Sequence, residues 1–549
     1  MTTETTVSTK SDNPVLLPAL VRGGFDVRDF GAVGDGQTLD SQAINRAITA
    51  AHASGGGTVV FPAGDFLSHS IRLQSRVALQ FSPGTTIIAA DPPPQGCTGG
   101  YDAPEAGPDN YYQDFGHSRF RNSLIWGENL ENVAIVGPGR IFGRGLSRGN
   151  GRVALPVGVT APHPPDRLPD VLEADGVIDL DPEIGLIPGG FGYPNDRDTL
   201  PAGVGNKAIA LKNCRNITLR DFTVLHGGHF AVLASGTDNL TIDNLLIDTN
   251  RDGIDVDSCC NVRISNCSVN SPWDDGICVK ASCGLGQVRV VENVTIANCY
   301  VSGFEEGTLL DGSRSRVIRH VGGPIGRIKL GTEATGGFRN IAITNCIFEF
   351  CRGLALEQVD GNVLEDVVVS NLTMRDVMNA PIFIRLGQRL RMPVPSGISQ
   401  AHRILISNVT AYNVAPDHGI FISGVPGQPV RDVRLEGLQL HFRGGGTLAQ
   451  AGRSVPEMEQ GYPEPMLFGV LPAWGLYVRH AVGLQIRDLN LKLMSDDQRP
   501  AVVLDDVSDS DFDGVNLPPC SGSAAWVIRN SGQLRMHRCT ARLDTPYQS

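Results

Sequence analysis

The sequence predicts an all-β fold, a parallel β-helix with a short N-terminal capping helix and long turn insertions, and three observations predict it. A six-residue repeat with apolar residues at its second and fourth positions recurs between residues 132 and 538. The shortest steps between its copies are 22–26 residues, a period typical of solenoid coils. Glycine makes up about 12% of the chain (65 of 549), compared with the usual ~7%, which indicates many turns.

The repeat predicts one short strand per coil. Its copies begin at Asn132, Asn216, Asn239, Asn261, Asn293, Asn340, Asp366, Arg403, Asp432, Gly483, Asp509 and Gln533. Apolar residues that alternate with polar ones indicate a strand with one buried face. Each coil would bury its inward side chains on the coils above and below, so a single domain can reach this length.

The domain organisation follows from where the repeat is interrupted. We expect a flexible tail over residues 1–23 and one β-helix domain over 24–549. Its parts would be the cap and first coils (24–90), an insertion-rich segment (91–205), the central coils with the candidate site (206–440), and an insertion followed by the C-terminal coils (441–549).

A short amphipathic helix is predicted near the N-terminus, where Asp40 or Ser41 can cap it. Its apolar face would be Ala43, Ile44, Ala47, Ile48 and Ala51. Such a helix would cover the open end of the stack, which otherwise exposes apolar side chains and unpaired strand edges.

Composition and charge exclude several function classes. The 46 Lys and Arg against 58 Asp and Glu give a net charge of -12, which argues against nucleic-acid and membrane partners. The polar N-terminus lacks a signal-peptide pattern, so we expect a cytoplasmic protein, or a periplasmic or secreted one if a leader was removed.

Twelve cysteines without a CxxC pair predict reduced thiols and no zinc site. Cys267, Cys299 and Cys346 share one register and should form a buried stack.

Acidic residues fall into one column when they are numbered from the repeat. Thirteen residues after the starts at 216, 239, 261 and 293 lie His229, Asp252, Asp274 and Glu306. Alignment on the shared Asp-Gly-Ile instead pairs Asp252 with Asp275. Because neighbouring coils are about 4.8 Å apart, three carboxylates should lie within roughly 5–10 Å of each other. Repulsion should then raise the pKa of at least one of them.

A protonated carboxyl beside ionised ones can break a glycosidic bond. One group donates a proton to the leaving oxygen, and the others deprotonate an attacking water. A single Asp in a turn more often caps backbone amides, but three in one column favour catalysis. Trp273 beside the pair is a candidate sugar platform, whereas we interpret Asp255 and Asp257 as turn formers.

These residues resemble glycoside hydrolase family 28, the polygalacturonases and rhamnogalacturonan hydrolases, over roughly residues 24–490. The matching segments are FDVRDFGAVGDG from Phe25, Asn250-Arg251-Asp252-Gly253, Asp274-Asp275, the stretch 331–337 and YPEPMLFG near Tyr462. The resemblance implies a right-handed β-helix that inverts anomeric configuration without a cofactor or metal. It implies that Asp274 is the general acid and that Asp252 and Asp275 activate the water.

The sequence departs from the family pattern at the substrate site. Arg251 stands where the family has the threonine of its Asn-Thr-Asp motif. The family's Gly-His-Gly motif is absent, and its position corresponds to Glu306-Gly307 or to Ile325-Gly326. Its Arg-Ile-Lys, which grips a galacturonate carboxylate, is expected on Ala355-Leu356-Glu357. That replacement would repel a uronate, so we expect a neutral sugar such as rhamnose at the cleavage site, or a carboxylate bound elsewhere. The candidate substrate-binding residues are His229, Arg251, Trp273, Lys280, Glu306, Arg327, Lys329, Arg352 and Glu357.

The sequence therefore predicts an inverting glycoside hydrolase of pectin-derived oligosaccharides, exo-acting and directed to rhamnogalacturonan or rhamnosides. Its partner would be an oligosaccharide or polysaccharide, and the oligomeric state stays open. A polysaccharide lyase or epimerase on the same scaffold is an alternative; a lyase would need a basic proton abstractor and often Ca²⁺. A non-catalytic carbohydrate-binding β-helix is a second alternative.

Overall fold

The chain winds through one long stack of parallel strands. The computed structural model describes residues 24–94, 97–106, 119–147, 186–187, 190–191, 200, 202–318, 323–391, 397–519, 522 and 524–540. Within these residues, 35 strands form one continuous sheet, and their pairings are parallel from Phe25 to His537. Two further strands, Leu186–Ile187 and Gly190–Phe191, pair with each other in antiparallel fashion. The predicted parallel β-helix is confirmed, and the expected tail over 1–23 lies outside the described residues.

Three columns of strands form the walls of the stack. The front column is Ile71–Arg72, Ile125–Glu128, Lys207–Lys212, Phe230–Ser235, Asp252–Asp257, Ile277–Lys280, Ile328–Leu330, Leu354–Gln358, Ile382–Leu386, Ile420–Ser423, Leu476–Val482, Val502–Asn516 and Trp526–Arg529. The back column is Phe25–Asp26, Gly57–Phe61, Val77–Phe81, Glu131–Val136, Arg215–Arg220, Asp238–Asp243, Cys260–Ser265, Val291–Ala297, Phe338–Glu349, Val363–Arg375, Gln400–Val414, Val430–Phe442, Gln485–Leu493, the second half of Val502–Asn516, and Gly532–His537. The third column is Asp35–Leu39, Gly64–Ser68, Thr85–Ala89, Arg140–Phe142, Thr223–Leu225, Leu246–Asp248, Ser268–Asn270 and Tyr300–Ser302. From Phe338 onward the back strands are long enough to continue the third column as well.

The apolar positions of the repeat build the core by stacking in register. Ile217, Leu240, Val262, Val294 and Ile341 pair from coil to coil in the back column, and each is at most 2% exposed. Burying a side chain of this kind contributes about 1.5–3 kcal/mol. The period-two pattern therefore fixes both the register and the core.

The first six copies of the repeat begin with asparagine, a residue suited to the left-handed backbone at that position. From the second copy onward, the side-chain amide nitrogen of each Asn donates to the side-chain amide oxygen of the Asn one coil earlier, at 2.6–3.2 Å. Their φ angles lie between 51° and 60°, a conformation that Asn tolerates better than most residues. The ladder consists of Asn132, Asn216, Asn239, Asn261, Asn293 and Asn340.

The predicted capping helix is present as Ser41–Ala53, and all five residues of its apolar face are buried. Asp40 precedes the helix but does not cap it, because its carboxylate accepts hydrogen bonds from the Val33 and Gly34 amides instead. A second α-helix is Leu448–Ala451, and 3-10 helices span Val27–Phe30 and Pro465–Phe468. No helix in the described part of the chain combines the length and apolarity that crossing a bilayer requires.

The three cysteines of the predicted stack lie inside the coils. Cys267, Cys299 and Cys346 are each at most 2% exposed, and each thiol contacts a backbone carbonyl two residues earlier. They act as small apolar fillers, as the sequence predicts.

Candidate active site

The acidic column lies at the start of two neighbouring front strands. Ile254 pairs with Ile277, and the Gly253 amide donates to the Asp275 carbonyl, so Asp252 and Asp275 occupy equivalent positions on consecutive coils. The Asp-Gly-Ile alignment is therefore correct, and the 13-residue count is wrong by one residue at Asp274.

The oxygens of the three carboxylates lie at the short end of the distances that the sequence predicts. One oxygen each from Asp252, Asp274 and Asp275 lie within 4.8 Å of one another. The Asp274 side chain is 19% exposed, whereas Asp252 and Asp275 are almost fully buried. A ligand that approaches from solvent would therefore meet Asp274 first, with the other two carboxylates behind it.

Asp274 is held by the residue that departs from the family pattern. The Arg251 Nη2 donates to Asp274 Oδ2 at 2.7 Å, while Oδ1 accepts the Asp275 amide at 3.0 Å. Arg251 and the Asp275 amide thus fix the orientation of the Asp274 side chain.

Asp275 is held by two buried cations. Arg327 Nε lies 2.8 Å from Oδ1 and Lys329 Nζ lies 2.8 Å from Oδ2. Burial alone would raise the pKa of Asp275, but Lys329 and Arg327 outweigh it and lower that pKa below its ordinary value. Asp275 is therefore ionised at neutral pH and suited to accept a proton from water.

Asp252 is the member of the triad whose pKa is raised. Its nearest cation, Lys280, lies 3.9 Å away and pairs more closely with Asp255, at 2.7 Å. Burial, with Asp255 and Asp274 nearby, raises the pKa of Asp252 well above its usual value. The raised pKa that the sequence predicts for at least one carboxyl is therefore found on Asp252.

A carboxylate from the insertion before the last front strands joins this cluster. Glu464 is 3% exposed, and its Oε2 accepts from Arg352 Nη1 at 2.8 Å. Both of its oxygens also contact the guanidinium of Arg327, which in turn holds Asp275. Glu464 belongs to the YPEPMLFG segment, and its role was not predicted because a motif does not reveal which distant coil it contacts.

Glu357 forms a second buried acid beside Arg327. Its Oε1 lies 3.9 Å from Arg327 Nη2, and its Oε2 is 3.1 Å from the Thr332 hydroxyl, which also contacts the Tyr462 hydroxyl at 3.0 Å. Burial raises the pKa of Glu357 to about 7, although Lys329 and Arg327 act in the opposite direction. This carboxyl therefore changes charge near neutrality.

The letters Arg-Ile-Lys also occur at Arg327-Ile328-Lys329, on the coil directly after Asp275. Lys329 pairs with Ala355, so Ala355-Leu356-Glu357, where the family's Arg-Ile-Lys is expected from the sequence, lies one coil further along. The replacement of that motif by Ala355 and Glu357 stays a prediction, and the cations that contact Asp275 come from the coil before it.

Three other predicted residues have defined surroundings. His229 is fully buried and stacks on Phe230 with 4.4 Å between ring centroids, so it supports the site from within. Glu306 lies in the turn after the third column and contacts His226 at 2.8 Å, outside the acidic column in which the sequence placed it. Trp273 is half-buried next to Asp274.

Asp255 and Lys280 form an ion pair inside the fold next to Asp252. Asp255 is not a turn former, because it lies within a front strand and neutralises Lys280 inside the fold. Lys280 also lies 5.3 Å from the Phe230 ring centroid, which adds a cation–π contact. Both residues therefore serve the charge balance around Asp252.

Three converging carboxylates are also a ligand set for a divalent cation. Here, however, Arg251 contacts Asp274, and Arg327 and Lys329 occupy both oxygens of Asp275. These positive charges would repel a metal ion, so the surroundings fit proton transfer better than metal binding.

Comparisons with known proteins agree with this architecture. A family profile described as "Rhamnogalacturonase A/epimerase, pectate lyase-like" matches residues 24–105, and one described as "Right handed beta helix region" matches residues 207–376. The family 28 exopolygalacturonase of Yersinia enterocolitica has a similar structure, with a TM-score of 0.56 and 17% identity, over 93% of this chain and 77% of that one.

Two curated proteins are similar over parts of their length. The exo-poly-alpha-D-galacturonosidase of Dickeya chrysanthemi is 24% identical over 295 residues, which are 51% of this chain and 46% of that protein. A mannuronan C5-epimerase of Azotobacter vinelandii is 47% identical over 66 residues, which are 12% of this chain and 4% of that protein. The chain thus spans less than half the length of these relatives. It is a right-handed parallel β-helix protein similar to the polygalacturonases of glycoside hydrolase family 28.

Proposed function

We propose that this protein is a glycoside hydrolase that cleaves pectin-derived oligosaccharides. The observation that carries the proposal is the triad: one carboxyl oxygen from each residue lies within 4.8 Å of the others, and the burial and partners of Asp252 and Asp275 shift their pKa values in opposite directions. Carboxyl groups driven to opposite protonation states are the equipment for acid–base cleavage of a glycosidic bond. The names of the relatives support a pectic substrate.

Water activation is assigned to Asp252 and Asp275. A water that makes hydrogen bonds of about 2.8 Å can bridge two oxygens up to about 5 Å apart, and these two carboxyl groups meet that condition. Asp275, kept ionised by Arg327 and Lys329, would accept the proton as the water oxygen attacks the anomeric carbon.

Proton donation to the leaving oxygen is assigned to Asp274, the member of the triad that reaches solvent. The proton would reach Asp274 from Asp252 through one bridging water, because the oxygens of the two groups lie within 4.8 Å, a span that one water can bridge. Asp274 then gives the proton to the glycosidic oxygen as the bond to carbon breaks.

The resemblance implies inversion of the anomeric centre, but the spacing of the triad is unusual for it. Inverting pairs are typically about 6.5–9.5 Å apart and retaining pairs about 5–5.5 Å. We retain inversion because the water is shared by two carboxyl groups rather than placed between one base and a distant acid. The initial product anomer decides between the two outcomes.

We further propose exo-action, directed to rhamnogalacturonan or rhamnosides. The insertion over 441–475 supports exo-action, because its Glu464 contacts the site and a long turn segment beside a site can close one end of a cleft. The test is a panel of pectic and rhamnosylated oligosaccharides with product masses read directly, with Asp274→Asn as the inactive control. Release of single terminal sugars is expected, whereas mid-chain cleavage or no cleavage would contradict the proposal.

A lyase or epimerase on the same scaffold is the second candidate, favoured by the short match to an epimerase. Lyase products carry a double bond and are lighter than hydrolysis products by one water. Epimerisation leaves the chain length unchanged, so the same mass measurement separates all three activities.

A further inference from the structure

Glu464 is joined to the innermost charges of the site although it lies on an insertion far from them in sequence. It bridges Arg327 and Arg352, and Arg327 is bound on its other side by Asp275. Arg327, Arg352 and Glu464 are at most 3% exposed. The bridge is therefore a built feature of the interior rather than a surface ion pair.

The buried cations next to the catalytic carboxylate are already bound by protein carboxylates. Arg327 uses Nε for Asp275 and its terminal nitrogens for Glu464. Lys329 binds Asp275, and Arg352 binds Glu464. An arginine fork presents its paired donors to one carboxylate at a time, so a second carboxylate could bind there only by displacing Glu464.

Displacement of Glu464 by a sugar carboxylate is unfavourable for a physical reason. Burial would raise the pKa of Glu464, but Arg327 and Arg352 outweigh it and lower that pKa, so the group is an anion. A uronate that entered the same place would bring a second anion next to it and to Asp275. A neutral sugar meets no such repulsion.

We propose that Glu464 is a specificity-determining residue that takes the place of a substrate carboxylate on Arg327 and Arg352, so that the sugar cleaved is neutral. This inference rests on the proposed hydrolase function. The preference for a neutral sugar would then be caused by Glu464, which lies in the insertion over residues 441–475.

Thermal unfolding with added sugars tests the inference without relying on catalysis. Glu464→Ala opens a carboxylate-sized space between the two arginines. Galacturonate is expected to raise the unfolding temperature of this variant and to leave that of the wild type unchanged, whereas rhamnose should raise that of the wild type. The inference fails if galacturonate stabilises the wild type as much as the variant, or stabilises neither.

Turnover provides the second readout. Glu464→Gln keeps the volume of the side chain, so it can be measured even if Glu464→Ala does not fold. Its ratio of kcat/KM for galacturonate-ended over rhamnose-ended oligosaccharides should rise at least tenfold, and an unchanged ratio in a folded variant would overturn the inference. If the wild type cleaves neither substrate, the proposed function fails while the unfolding experiment still decides the role of Glu464.

The matched control removes a comparable buried carboxylate elsewhere. Asp497 binds Arg499 through two hydrogen bonds, of 3.0 and 2.7 Å, and neither residue is more than 1% exposed. Asp497→Asn therefore also leaves a buried arginine without its carboxylate. Galacturonate should not stabilise this variant, and its substrate ratio should equal that of the wild type.

Discussion

Lys329→Met tests whether the cations around Asp275 set its charge. Lys329 Nζ lies 2.8 Å from Asp275 Oδ2; at an effective dielectric constant of about 20, unit charges at that distance attract by about 6 kcal/mol. Part of this attraction offsets the burial of both groups, and Arg327 still holds Oδ1. We therefore expect the pKa of Asp275 to rise by about 1–3 units, the range typical for loss of one adjacent charge.

The sign of the effect on activity follows from the role of Asp275 as a base. The base must be ionised, so activity falls as the pH drops through its pKa. A raised pKa moves the acidic limb of the kcat/KM profile to higher pH. The measurement is kcat/KM from about pH 3 to 8 on the best oligosaccharide of the panel, since this profile reports the groups of the free enzyme.

Lys492→Met is the matched control for this measurement. Lys492 is exposed on the back column, so its replacement removes the same charge without a contact to the triad. Its acidic limb should coincide with that of the wild type. If Lys329→Met also coincides with the wild type while remaining folded, Asp275 is not the base whose ionisation limits the reaction.

Three further results are expected. Asp252→Asn and Asp274→Asn should each lower kcat by about 10²–10⁴-fold with an unchanged circular dichroism spectrum; a change of less than tenfold would remove that residue from the mechanism. NMR of the first product should show the inverted anomer, and a retained anomer would contradict the shared-water arrangement. EDTA should leave the rate within about twofold, because Arg251, Arg327 and Lys329 occupy the positions a cation would need; a large loss that Ca²⁺ restores would favour the lyase.

Periodic features could be predicted from the sequence because each coil repeats the same physical constraint. The alternating apolar residues determine the register, and the shared Asp-Gly-Ile then brings Asp252 onto Asp275. The prediction failed where the period is broken. Counting 13 residues placed Glu306 in the column, but it lies in a long turn against His226.

Contacts from insertions could not be predicted, because their path is not set by the repeat. Glu464 is 137 residues from Arg327 in the chain, and no periodicity relates the two.

Glu357 provides a prediction on stability that does not depend on turnover. Its pKa is raised to about 7 from an ordinary value of 4.5, so the folded protein binds its proton more tightly than the unfolded chain does. The contribution of Glu357 to stability is then fully present below pH 4.5 and is lost as the pH rises through about 7, because an ionised Glu357 is disfavoured in the interior. A difference of about 2.5 units corresponds to about 3 kcal/mol.

Glu357→Gln should therefore stabilise the protein at about pH 8 by up to about 3 kcal/mol, and the gain should vanish below about pH 4.5. The glutamine carbonyl can still accept the hydrogen bond from Thr332, so the packing is kept. Urea unfolding at both pH values measures the gain, and Glu436→Gln, on a half-exposed side chain paired with Arg434, should change stability by less than about 0.5 kcal/mol. If Glu357→Gln destabilises the protein at pH 8, attraction to Arg327 and Lys329 outweighs the cost of burying the charge, and the cluster around Asp275 depends on an ionised Glu357.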